Sequence, residues 1–230
     1  MLDRPILPHK ADLALRAANK HHIRSFADLG GCWAVNGGYT FDLLRRAQIE
    51  KAYLVDRYIT DLTAERSAAF PNLELRGEIL FNQPDVIRSF PEVDALIMYD
   101  ILLHQVNLDW NDFLVEWSKK ARVLIIYNQM WTKADHTIRF IDEGKDFYKQ
   151  WVYYTSSDAI DRWFASHDTL DPETGRPVRD QFYYWQWGIT RNDMISCVES
   201  QGMRLDYFED YGPIDPKFPW IPTNGFIFVR

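Results

Sequence analysis

Between residues 20 and 130, short and nearly continuous apolar runs alternate with segments whose apolar residues recur at helical spacing. The apolar runs are "IRSFADL" (Ile23–Leu29), "KAYLVD" (Lys51–Asp56), "LELRGEI" (Leu73–Ile79), "VDALIMYD" (Val93–Asp100) and "RVLIIYNQ" (Arg122–Gln129). Each has the length of a strand, and together they read as strands covered on both faces. Between them lie "FDLLRRAQI" from Phe41, "ITDLTAERSAAF", "PDVIRSF" begun by Pro84, and "DWNDFLVEWSKKA" with Asp109 as its expected cap. "LALRAANKHH" from Leu13 supplies an opening helix. Strand and helix alternate five times, which predicts an α/β fold with a doubly wound parallel sheet.

Such a sheet places its ligand site just past the carboxyl ends of the strands, where the strand order reverses. After the first strand come Asp28, Gly30, Gly31, Cys32 and Trp33, and later Gly37 and Gly38, so four of the chain's 11 glycines fall between Phe26 and Thr40. Glycines allow sharp turns and close approach, and a helix starting near Thr40 would aim free N–H groups back at this loop. After the second strand comes Asp56, an acid placed to accept the two hydroxyls of a ribose. Glycine loop and acid together point to a nucleotide-like cofactor. The later strand ends carry Gly77-Glu78-Ile79, then Tyr99-Asp100-Ile101-Leu102-Leu103-His104, then Asn128-Gln129-Met130-Trp131.

Composition changes the picture in two ways. The net charge of -7 lowers the prospect of a nucleic-acid partner, whose phosphates call for a basic surface. The aromatic residues are unevenly spread: 14 of the 35 lie in residues 1–130 and 21 in the remainder. The excess falls in residues 131–190, in "DFYKQWVYY", "DRWF" and "DQFYYWQWG", read as an insert within a single domain spanning 1–230. Most of these rings are expected to pack the insert onto the sheet, while some could wall a substrate. The aromatic surplus also leaves room for a homodimer surface. Two cysteines, Cys32 and Cys197, fit a reducing and hence cytoplasmic setting. No run has the length and apolarity of a membrane span, so no membrane partner is expected.

The pieces "FADLGGCW", "AYLVD", "LRGEI" and "VDALIMYDILLHQV", taken in order, resemble the class I S-adenosylmethionine-dependent methyltransferases. The tail "GITRNDMISCVESQGMRLDYFEDYG" and "NGFIFVR" is similar to that family's last helix, sixth strand and antiparallel seventh strand. The resemblance implies a Rossmann-like sheet of about seven strands with an antiparallel last strand. It implies S-adenosylmethionine as cofactor, with Asp28, Gly30 and Gly31 in the first motif and the glycines against the methionine part. Cys32 stands where that motif usually has a further glycine. Asp56 would hold the ribose, Glu78 and Ile79 would flank the adenine, and Tyr99 and Asp100 would line the methionine side near the methyl. Trp33, Arg57 and Gly77 complete the cofactor-binding set.

A hydroxyl acceptor must lose its proton as it attacks, so a base within ~3 Å is needed. His104, just past the fourth strand, and His136, beside Asp135, are the candidate bases, and Asp100 is counted with them among the catalytic residues. Asp100 and Asn128 allow Mg²⁺ as a weaker alternative, because Tyr127 stands where an acidic ligand would be wanted. No Asn/Asp-Pro-Pro-aromatic run follows the fourth strand, which argues against methylation of nucleic-acid amines. The expected activity is O-methylation of a small polar acceptor such as a sugar or glycan. The alternatives are a nicotinamide-dependent oxidoreductase and a non-catalytic binding protein on the same fold.

Overall fold

The computed structural model describes residues 3–77, 81–152, 156–172, 175–182 and 184–230. Helix α1 (Pro8–His21) leads into β1 (Ser25–Leu29), α2 (Gly38–Arg46), β2 (Lys51–Val55), α3 (Asp61–Ser67), β3 (Leu73–Arg76), α4 (Pro84–Ser89) and β4 (Val93–Tyr99). Then come α5 (Trp110–Ser118), β5 (Ala121–Gln129), β6 (Ile138–Arg139), α6 (Lys145–Trp151), α7 (Ser157–Ser166) and β7 (Trp187–Gly188). The chain closes with α8 (Arg191–Glu199), β8 (Arg204–Pro213) and β9 (Pro222–Val229).

Seven strands form one sheet in the order β3-β2-β1-β4-β5-β9-β8. Strands β1 to β5 pair in parallel, and β9 runs antiparallel to both β5 and β8. This is the Rossmann-like doubly wound arrangement expected from the sequence, with its order reversing between β1 and β4. Alternate residues of each strand feed opposite layers. Ala27, Leu29, Leu96, Met98 and Ile126 pack with α5 and α8, while Phe26, Ala95, Ile97, Ile125 and Tyr127 pack with α1 and α2. The near-continuous apolar strands therefore follow from burial on both faces.

Some element ends differ from the sequence reading. Helix α1 begins at Pro8 rather than Leu13, since proline fits a helix's first turn, where no N–H partner is needed. Asp109 does occupy the N-cap of α5, but its side chain makes no capping bond. Thr60, Ser156 and Thr190 do cap, accepting from Thr63, Ala159 and Asp193 backbone N–H groups. Strand β3 stops at Arg76 rather than Ile79, and Glu78 and Ile79 lie outside the described residues.

The segment after β5 builds a third apolar cluster of its own, around Trp131, Phe140, Tyr148, Trp163 and Trp185. Its rings meet edge to face, as in Trp131 with Phe140 at 5.0 Å, or stack, as in Trp163 with Tyr184 at 3.7 Å. Most of the aromatic surplus is thus spent on packing. Among the described residues, no helix is long and apolar enough to cross a membrane.

Phe226 on β9 is fully buried and stacks on Phe228, with Phe208 of β8 beside it. Phe226→Ala is expected to cost about 3–5 kcal/mol, read from the midpoint of a urea denaturation curve.

Candidate functional site

The loops that follow β1 and β4 meet at the reversal of strand order. In the first, Gly30 has φ +75 and its N–H donates to Val55 O at 2.7 Å, which turns the chain sharply off the sheet. A Cβ on Gly30 would come within 2.7 Å of Ile101 Cγ2, and one on Gly31 within 2.5 Å of Asp28 Oδ2. The space a side chain would need is already taken by protein. The sequence reading gave these glycines sharp turns and close approach to a ligand; the structure has the sharp turn at Gly30, and it also packs the loop on Ile101 and Asp28.

Asp28 lies beneath this loop, 1% exposed, and accepts a 2.5 Å hydrogen bond from Thr40 Oγ1 in α2. Burial pushes its carboxyl up to about 6, against the pull of the Thr40 hydroxyl and the more distant Lys10 ammonium. Asp56, half-buried at the end of β2, accepts from Cys32 N at 2.9 Å and from Tyr58 N at 3.0 Å. Its carboxylate therefore joins the glycine loop directly, and lone pairs remain for a further donor. Burial raises its pKa and these backbone donors lower it, with burial the larger effect. Burial likewise raises the Cys32 thiol to about 12, so it stays protonated at neutral pH.

Past β4 the backbone is strained. Asp100 has φ +54, and Ala34 and Asn36 in the first loop have φ +60 and +48. Backbone of this kind concentrates at ligand clamps and active sites, because packing must hold it there. The Asp100 carboxylate is only partly exposed and is already engaged. It accepts from Lys10 Nζ at 2.5 Å, and that ammonium stands 4.7–5.1 Å from the ring centres of Tyr39, Tyr99 and Tyr127. Asp100 Oδ1 is buried without a partner. Tyr99 points the same way, donating its hydroxyl to Lys10 O at 2.8 Å. Lys10 was missed in the sequence reading. Its signal was its place three, four and seven residues before Leu13, Ala14 and Ala17 on the buried stripe of α1, visible once the helix starts at Pro8.

His104 sits in a single 3-10 turn, Leu102–His104, and turns away from Lys10 toward the insert. Its Nδ1 is 2.8 Å from Tyr184 O. A carbonyl can only accept, so Nδ1 carries the hydrogen and Nε2 keeps the lone pair. Burial lowers its pKa from the usual value, so the ring is neutral at pH 7. His136 stands on the surface, bonded to an even more exposed Asp135. It is not brought to the glycine loop.

Trp33 is 73% exposed at the crest of that loop, Arg57 lies over the rings of Tyr58 and Phe182, and Gly77 packs against Ile59. Asp100 and Asn128, the pair considered for Mg²⁺, face opposite layers: Asp100 meets Lys10 of α1, whereas Asn128 Nδ2 meets Gln129 O and the Met130 sulfur. Among the described residues, no three His, Cys, Asp or Glu gather as a metal-holding group.

No protein-family model and no curated protein matches the chain. Solved structures do match. The N-terminal domain of EvdMO1, in the presence of SAH and D-fucose, aligns at 10% identity over 98% of this chain and 84% of its own, with a TM-score of 0.59. The 1,6-didemethyltoxoflavin-N1-methyltransferase of Burkholderia thailandensis, with bound 1,6-didemethyltoxoflavin and S-adenosylhomocysteine, aligns at 11% over 97% and 77%, TM-score 0.59. Magnesium protoporphyrin IX methyltransferase of Synechocystis PCC 6803, with bound SAH, aligns at 10% over 99% and 90%, TM-score 0.56. The chain has the class I methyltransferase fold.

The Asp28 carboxyl gives the site a pH signature. Its folded pKa is raised, so the stability it contributes is complete below the unfolded value near 4 and is lost as pH rises through about 6. Relative to Asp28→Asn, the wild type is expected to lose about 2 kcal/mol between pH 4 and pH 7, measured by paired denaturant titrations at the two pH values.

Proposed function

We propose that this chain is an S-adenosylmethionine-dependent methyltransferase that methylates a hydroxyl of a small polar acceptor. The observation that carries the reading is the direct link between Asp56 and the glycine loop through Cys32 N, at the strand-order reversal of a class I methyltransferase fold. Asp56 would hold the ribose, and the backbone of residues 30–33 the methionine part, with Ile101 and Phe81 as apolar neighbours of Gly30. Gly77 stands at the end of β3, next to the adenine-flanking pair Glu78 and Ile79 of the sequence reading. When bound, the cofactor supplies a methyl group on a positively charged sulfur, already activated for transfer.

The remaining work is alignment, exclusion of water and removal of a proton. His104 is suited to the last task. Its Nδ1–H is committed to Tyr184 O, the ring is neutral at pH 7, and Nε2 can accept the hydroxyl proton as the oxygen attacks. Asp100 is less suited as the base, since its carboxylate is engaged by Lys10. We assign it, with Tyr99, to fixing the loop after β4. The insert from Trp131 to Thr190 would cover the acceptor, and those of its rings not committed to packing could wall a hydroxylated ring. The structure of the same fold solved with SAH and D-fucose supports an acceptor of this kind. The two free cysteines suit a reducing, cytoplasmic setting.

Calorimetric titration with S-adenosylhomocysteine tests the reading. Saturable binding is expected, weakened about tenfold or more by Asp56→Ala through loss of hydrogen bonds to a charged group. His104→Gln is expected to leave that binding in place and to lower turnover on a responsive hydroxylated acceptor by about 10²–10⁴. Absence of cofactor binding by the wild type would reject the proposal.

A further inference from the structure

On the side of the sheet away from β1, the described residues form a cleft of about 260 Å³. It lies between the end of β5, the start of β9 and the first turn of α8. Trp131, Thr132, Asp135, Arg191, Asn192 and Asn224 are among its walls. Two of these carry a buried donor with no partner: Asn224 Nδ2, on a residue 0% exposed, and Trp131 Nε1, on a residue 3% exposed. The orientation of the Asn224 amide is fixed, because its Oδ1 accepts from Arg191 Nε at 3.1 Å. The unpaired end is therefore the NH₂.

Buried donors in native proteins are nearly always paired, and the exceptions call for an explanation. Here most of the unengaged polar groups are donors, the exception being Asn128 Oδ1, a buried unpaired acceptor across the β5–β9 pair from Asn224. Arg191 brings a guanidinium with five N–H groups, of which Nε serves Asn224 and Nη2 serves Asp210 at 2.8 Å. The first turn of α8 presents the unpaired N–H groups of its opening residues, Arg191 and Asn192, while Thr190 Oγ1 caps Asp193 N at 3.2 Å. Three carboxylates lie nearby and all are engaged: Asp210 by Arg191, Asp135 by His136 on the exposed rim, and Asp193 by Thr137 N at 2.6 Å. The inner wall is rich in donors, which calls for a ligand rich in acceptors.

The cleft is also in line with the proposed reaction. The glycine loop follows β1, His104 follows β4, and the cleft follows β5, the next strand along. Leu103, beside His104, belongs to the same apolar cluster as Trp131.

We propose that this cleft seats an oxyanion, a carboxylate or phosphate, carried by the methyl acceptor, so that the substrate is an anionic hydroxylated small molecule such as a sugar acid or sugar phosphate. That the oxyanion belongs to a methyl acceptor rests on the methyltransferase reading. The anion site stands on its own residues.

The test is a nuclear magnetic resonance titration of the isotopically labelled full chain with inorganic phosphate and, separately, with acetate. Saturable shifts are expected at the Asn224 side-chain amide, the Trp131 indole N–H and the Arg191 and Asn192 backbone amides. Arg191→Gln and Asn224→Asp are each expected to weaken binding about tenfold. The better of the two probes identifies which oxyanion the site prefers. S-adenosylhomocysteine, added to each variant, is expected still to shift Gly30 and Cys32. The proposal is overturned if neither anion saturates these signals, if chloride at equal ionic strength reproduces the shifts, or if glycerol saturates them and the anions do not. Anion shifts without any response to S-adenosylhomocysteine would uphold the anion site and reject the methyltransferase reading. The reverse pattern would reject the anion site alone.

Discussion

A carboxyl group taken out of water holds this site together. Asp28 is the last polar position of β1, sealed beneath Gly31 and bonded to Thr40 of α2. Burying an acid is costly, and the cost shows in its raised pKa. In exchange, one side chain sets where the loop leaves β1 and where α2 begins. A larger residue at Gly31 would collide with it. The path of residues 30–37, and with it the position of Cys32 N against Asp56, depends on that contact.

The two-sided burial of the sheet confines polar chemistry to the carboxyl edge. Between the layers the residues are mostly apolar, with Asp28 and Thr40 a paired exception, so acids, asparagines and histidine gather where the strands end. Three stations result: the glycine loop with Asp56 after β1 and β2, the turn with His104 after β4, and the donor-lined cleft after β5. The antiparallel β9 matters here. Because it runs against β5, its first residues lie at the same edge as the end of β5, and Asn224 stands opposite Asn128. A parallel last strand would have put that end of β9 at the opposite edge.

The Lys10–Asp100 pair shows how an ion pair can fix a loop rather than act in chemistry. A lysine on a helix before the sheet sits among three tyrosine rings and holds the strained residue that follows β4. Losing either partner would leave the other charge poorly solvated. It would also release a backbone conformation that non-glycine residues adopt only under constraint. Asp100 and His104, four residues apart, consequently turn to opposite sides and take different parts.

Much of this was legible in the chain itself. Short, nearly continuous apolar runs separated by helical patterns suit strands of a sheet covered on both faces, so the order of strands and helices followed from local pattern. Asp28, the glycines and Asp56 were legible because turns and strand ends have residue requirements that do not depend on distant partners. What the chain could not declare were contacts made across long separations. Lys10 finds Asp100 over 90 positions, His104 finds the Tyr184 carbonyl over 80, and Arg191 finds Asn224 over 33. Which nitrogen of His104 keeps its lone pair, whether Asp100 is free, and which asparagine donor goes unpaired all depend on such meetings. Sequence fixes the periodicity of each element, whereas burial, tautomer and charge pairing are properties of the packed whole and are decided only when the layers close.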